Sequence, residues 1–312
     1  MESYVDKALR WGPTAIWLMI FLLMYTHAVH ADPTLDLEPP ALTNVSGPRD
    51  VAPGMMAPLV AIDVNPGNSI TPFAPHSVRV PNGRTLGFGF GIDKMLSPNW
   101  DIEVDSAFDS YAPHQGARQS GFDTIDVLSR MLFINQSDVQ AAVAPMLSFG
   151  VGSMGSPPGL SNAGLALLGS VRGGALPEDW DLGYWRALEV HSDIGYSRIL
   201  SAGSGDEFFF DPVIDYSLPY MQYLTRTQPP SAIRNLCVFA ELNFDAVVTG
   251  SSAGAATLYT TPGISYVSDA YQVSTGVQLP LNHAAEHAQQ IALLGEVQWS
   301  LDSLPLGAWM PF

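Results

Sequence analysis

Acidic side chains recur at every second position along much of this chain. Asp101, Glu103, Asp105 and Asp109 alternate with Trp100, Ile102, Val104 and Phe108. The same spacing returns in Glu189 and Asp193, in Asp211 and Asp215, in Glu241 and Asp245, and around Asp126 and Glu296. In an extended backbone such a spacing gathers the carboxylates on one face and the apolar residues on the other. Arg130, Arg172 and His191 are the basic residues that fall on that acidic face. A wall so lined attracts cations and repels anions, and its crowded carboxylates resist ionising together.

Two short motifs suggest other chemistry. His283-Ala284-Ala285-Glu286-His287 matches H-x-x-E-H, a metal-ligand spacing that works only on a helix. It falls in a stretch read as an eight-residue loop, 282–289, so no catalytic role is expected of it and no metal is assigned, incidental metal binding by the two histidines being the alternative. Gly250-Ser251-Ser252-Ala253-Gly254 matches G-x-S-x-G. That nucleophile motif needs a strand-to-helix elbow, whereas here strands are expected on both sides. No catalytic residue, metal or cofactor is assigned, and the chain is not expected to be an enzyme.

The elements that position the acids are strands. Twelve runs carry period-two alternation separated by turn residues: 55–64, 85–96, 99–110, 123–135, 138–150, 163–173, 186–199, 207–222, 236–248, 255–267, 271–281 and 290–301. Most are long enough to cross a bilayer when tilted. Trp100, Trp185, Tyr196, Tyr220, Tyr223, Tyr271 and Trp299 fall near their ends, as membrane-interface aromatics do. Lys94, Arg186 and Arg198, the charges on the apolar faces, also lie at strand ends.

Composition agrees. Of 312 residues, 47% are hydrophobic and only 14% charged, yet the net charge is −17. There is no basic footprint for nucleic acid, and one cysteine, Cys237, excludes an internal disulfide. A soluble β-sandwich would alternate in the same way. Against it stand the scarcity of lysine (Lys7 and Lys94), the aromatic strand ends and the uniformly acidic or small polar faces. The expected fold is all-β: a transmembrane, antiparallel, up-and-down β-barrel of about twelve strands, its outer face against outer-membrane lipid.

The N-terminal region reads as export machinery. Lys7 and Arg10 precede the apolar run from Ile16 to Tyr25, and Ala28-Val29-His30-Ala31 offers a small-residue cleavage site. Residues 1–31 are read as a signal peptide, an uncleaved anchor helix being the alternative. Residues 32–54, with five prolines in 32–53, read as an extended periplasmic leader, and 55–312 as the barrel. With an even strand count the short connections 97–98, 136–137 and 268–270 fall on the periplasmic side. The loops 65–84, 111–122, 151–162, 200–206, 249–254 and 282–289 fall outside.

The stretch Thr261-Pro262-Gly263-Ile264-Ser265-Tyr266-Val267-Ser268-Asp269, continuing to Val277-Gln278-Leu279-Pro280-Leu281, resembles the final hairpin of a bacterial outer-membrane family. The family is that of transporters associated with the meta-pathway of phenol degradation. The strand around Ala240-Glu241-Leu242 and the hairpin from Leu86 to Asp109 are similar in style. The resemblance covers about the last third of the chain plus one hairpin. It implies a Gram-negative outer-membrane barrel passing small organic compounds. The expected function is a passive channel for a small-molecule solute with an acidic, cation-preferring lumen. A plugged interior without flux, an adhesive barrel with partner-binding loops, and a lipid-modifying barrel enzyme are the alternatives.

Overall fold

The computed structural model describes residues 58–65, 67–152, 158–200, 205–226 and 229–301. The signal peptide, the leader, the first residues of the expected strand 55–64 and the terminal Phe312 lie outside them.

Twelve antiparallel strands close into a barrel. They are β1 (Ser69–Val80), β2 (Gly83–Ser97), β3 (Trp100–Pro113), β4 (Gln119–Asn135), β5 (Val139–Gly150), β6 (Gly159–Arg172), β7 (Leu188–Ile199), β8 (Asp206–Ser217), β9 (Leu236–Val247), β10 (Ala256–Val267), β11 (Tyr271–Pro280) and β12 (Ile291–Ser300). Each pairs with its sequence neighbours, and β1 pairs with β12, so no edge is left open. Alternation decides which way the side chains face. Phe88, Phe90, Leu165, Leu167, Ile214, Val238 and Leu293 are exposed on the outside, while Asp101, Asp193 and Glu241 are completely buried inside. This is the reverse of a water-soluble fold. Closure satisfies the backbone without water, and the apolar belt then suits the outer face to lipid.

Two elements differ from the sequence expectation. The described part of the run 55–64, residues 58–64, is not a strand, and β1 comes from the stretch expected to be a loop, 65–84. Pro72 and Pro75 obscure the alternation of β1, and its pairing slips between Ile70 and Phe73 on one side and between Thr71 and Ala74 on the other. An irregular register is where a residue without an N–H can sit in a sheet. The run 207–222 stops as a strand at Ser217. There the Ser217 hydroxyl accepts a hydrogen bond from the Tyr220 amide at 3.1 Å, Pro219 occupies the first turn, and the chain enters helix α1 (Leu218–Thr225).

The connections also correct the expected asymmetry. The end of the barrel where β1 starts and β12 finishes carries the short turns 98–99, 136–138 and 268–270, but also the two longest connections, 173–187 and 218–235. Arg186 and Trp185 belong to the first of these, in a 3-10 turn (Gly183–Ala187), and not to a strand. At the opposite end the connection 281–290 is not a plain loop: it holds helix α2 (His283–Ala288).

Candidate functional site in the barrel lumen

Residues 58–65 and 67–68 lie inside the barrel, and this segment organises the lumen. It meets the start of β1 at Ser69, where the Leu301 amide donates to the Asn68 carbonyl at 2.8 Å. From there it reaches across to the far wall. Its alternation, read from sequence as a membrane strand, serves two apolar pockets. Leu59 and Ala61 pack with Val213, Cys237 and Phe239. Ile62 and Val64 pack with Ala142, Ala144, Ala166, Leu168 and their neighbours. The small inward residues of β5 and β6 leave the room that Val64 fills.

The backbone of the segment has no strand to pair with, and lumen carboxylates take its amides instead. The Glu241 carboxylate accepts from Leu59 at 2.7 Å, Val60 at 3.0 Å and Ala61 at 3.4 Å. Asp193 accepts from Ile62 at 2.6 Å, and Asp101 accepts from Gly67 at 2.6 Å. Gly67 is required by space: a Cβ there would lie 1.6 Å from an Asp93 carboxylate oxygen. Buried carboxylates without partners are costly, so each of these bonds steadies both the wall and the segment.

Arg130 is the hub of the same region. Its guanidinium reaches Asp93 at 2.6 Å, Asp101 at 2.9 Å and Glu103 at 2.9 Å, and also donates to the Asp63 carbonyl of the inserted segment at 3.2 Å. A planar fork of donors suits such multiple recognition better than a lysine would.

A cavity of about 860 Å³ remains between segment and wall. Glu103, Asp105, Asp126, Asp211 and Glu296 line it, together with Arg130. Directly opposed pairs of like charge face inward, Asp105 with Asp126 on β3 and β4, and Asp193 with Asp211 on β7 and β8. Like charges facing each other across a sheet are unfavourable, and solvent cations or a bound cation would relieve them. Asp245 lies further along β9 on the inward face, and Asp109, near the finish of β3, meets the His76 imidazole at 2.7 Å.

Glu189, Arg172, His191 and Asp215 form a separate buried group near the end where β1 starts and β12 finishes. Arg172 meets Glu189 at 3.1 Å, and His191 stands 3.7 Å from Asp215. The Arg172 guanidinium also lies 5.1 Å from the Tyr220 ring centre. Tyr220 is therefore not an interface aromatic. It is 2% exposed, and its hydroxyl donates to Asp138 at 2.5 Å. Burial, then the Asp138 carboxylate, pushes its phenol well above the ordinary range.

The other aromatics are exposed. Trp100, Tyr271 and Trp299 stand on outward faces at the end where β1 starts and β12 finishes, Trp185 and Tyr223 lie in the long connections there, and Tyr196 is near the opposite end of the barrel, toward the finish of β7. Tyr266, Trp180 and Tyr184 are exposed at the same end as Trp100 and Trp299 and escaped the sequence reading. Asp93 also escaped, although its alternation with Gly87, Gly89 and Gly91 was visible. Asp63 was hidden because its segment looked like a strand.

No protein-family model matches the chain, and no curated protein matches it. Among solved structures it is similar to NanC porin at 6% identity, covering 73% of this chain and 100% of that one, with a TM-score of 0.49. KdgM porin in complex with disordered oligogalacturonate matches at 11% identity over 74% and 98%, with a TM-score of 0.44. LpxR from Salmonella typhimurium matches at 9% identity over 73% and 99%, with a TM-score of 0.39. Sequence and shape agree only distantly in all three.

Proposed function

We propose that this protein is an outer-membrane channel for small solutes whose bore is closed by its own inserted segment, residues 58–65 with Gly67 and Asn68. On this reading residues 1–31 direct export, residues 32–54 form a periplasmic leader, and the segment after the leader enters the barrel from the periplasmic side. The observation that carries the reading is the way the segment is held. Five of its amides end on three lumen carboxylates. These side-chain contacts can open without breaking the strand ladder. Release of the segment would connect the acidic cavity to a path through the barrel.

The solute class is set by the wall. Acids far outnumber bases there, and the opposed carboxylate pairs favour a cation or a basic, polar molecule over an anion. The resemblance to the phenol-pathway transporters adds that the solute is a small organic compound. The apolar belt and exposed aromatic ends support a place in the outer membrane. Gly250–Gly254 lies in a turn between β9 and β10, strand to strand, which offers no nucleophile elbow.

Planar-bilayer recording tests the proposal. The mature barrel should conduct little, and a variant lacking residues 32–65 should conduct well with a cation-selective reversal potential. The paired substitution Glu241→Gln with Asp193→Asn should open the intact chain in the same direction. Heat-dependent gel mobility checks that each variant is folded. A folded, segment-free barrel that passes no current would overturn the channel, and anion selectivity would overturn the acidic-lumen reading.

A further inference from the structure

We propose that α2, in the connection between β11 and β12, carries a surface site for a divalent first-row transition metal, held by His283 and His287. The helix requirement that the sequence did not meet is met by the fold. Residues 283–288 form a short helix, which puts positions four apart on one face. The two Nε2 atoms lie 3.0 Å apart. Two nitrogens bound to one metal at about 2.1 Å and at right angles to each other are separated by about 3.0 Å. The pair therefore already has the spacing of two adjacent positions of an octahedral or tetragonal ion such as Ni²⁺ or Cu²⁺. Without metal the same spacing lets one imidazole donate a hydrogen bond to the other.

Two further observations support a preformed site. Glu286 places a carboxylate oxygen 3.5 Å from His283 Nδ1. A carboxylate on that nitrogen favours the tautomer that leaves Nε2 free to bind metal, and it raises the basicity of the ligand. The helix is also anchored to the barrel rim. Asn282 caps it by accepting from the Ala285 amide at 2.9 Å and donates to the Ala256 carbonyl at 3.0 Å. The Tyr259 hydroxyl donates to the Ala285 carbonyl at 3.3 Å, and Ala285 is fully buried. Both imidazoles remain exposed. Among the described residues no group of three or more His, Cys, Asp or Glu is placed to hold a metal, so water completes the coordination. The result is an open capture site at the mouth where β11 ends and β12 begins.

Calorimetric titration of Ni²⁺ into the untagged mature barrel, with Mg²⁺ as the oxygen-preferring control, tests the site. One Ni²⁺ should bind per chain. His283→Ala or His287→Ala should weaken it at least about tenfold, and Glu286→Gln about tenfold through the lost orienting contact. Unchanged Ni²⁺ binding in the His283→Ala, His287→Ala double variant would overturn the site, as would binding no tighter than that of Mg²⁺. These side chains are exposed, and heat-dependent mobility checks that the variants remain folded. The readout is binding and not flux, so it stands or falls apart from the channel proposal.

Discussion

The Glu241 carboxylate, midway along β9, accepts a hydrogen bond from the Leu59 amide at 2.7 Å across a separation of 182 residues. The contact joins the barrel wall to the segment inside it. With the Val60 and Ala61 amides on the same carboxylate, it makes Glu241 the main anchor of the inserted segment.

Glu241→Gln keeps one acceptor but loses the charge that strengthens all three bonds. Hydrogen bonds to charged groups contribute about 1.5–3 kcal/mol, so weakening this set should raise the population of released segment at least about tenfold. Limited proteolysis should show faster cleavage within 58–65, with the strands still protected. Equal cleavage rates in variant and parent would rule out Glu241 as the anchor.

Arg130→Met should be the most damaging single change in the lumen. It strips the cation from Asp93, Asp101 and Glu103 together and removes the donor to the Asp63 carbonyl. Leaving buried charges uncompensated costs about 3–5 kcal/mol. The temperature at which the folded gel band converts to the unfolded one should fall clearly. Arg130→Lys should recover only part of the loss, because an ammonium cannot reproduce the fork.

Ala142→Leu tests whether small wall residues are reserved for the segment. Ala142 is fully buried beside Val64 and Ile62. Overfilling such a site costs about 1–3 kcal/mol. The segment can leave while the wall cannot, so the expected result is higher conductance with little change in barrel stability. Lower stability without added conductance would count against a removable segment.

Neutralising Asp105, Asp126 and Glu296 together, as Asn, Asn and Gln, should move the reversal potential of the segment-free barrel toward zero. These groups line the cavity and lie away from the main amide anchors. An unchanged potential would mean that ions take another route.

Leu165→Lys tests which face meets lipid. Leu165 points outward near the middle of β6 and is 53% exposed. A lysine at mid-membrane depth costs about 2–4 kcal/mol, although on a water-facing surface it would cost almost nothing. Refolding into vesicles and then titrating with denaturant distinguishes the two.

Much of this barrel was legible in its sequence because period-two alternation is a local property. A strand with lipid on one side and a polar lumen on the other must place Phe88, Phe90 and Ile92 opposite Gly87, Gly91 and Asp93, wherever its partners lie. Eleven of the twelve strands therefore stood out, and with them most of the inward acids.

Tertiary structure decided what those acids hold. Residues 58–65 alternate as a strand does, since they too lie between two surfaces, but both surfaces are inside the barrel. Nothing local separates a segment that pairs with strands from one whose amides end on Glu241, Asp193 and Asp101. Only the closed wall, which brings carboxylates from β3, β7 and β9 around one short segment, makes that distinction. The same holds for Tyr220, whose position next to β8 suggested the membrane surface until α1 turned it inward onto Asp138. It holds again for His283 and His287, whose spacing acquired meaning once the barrel rim held their loop as a helix.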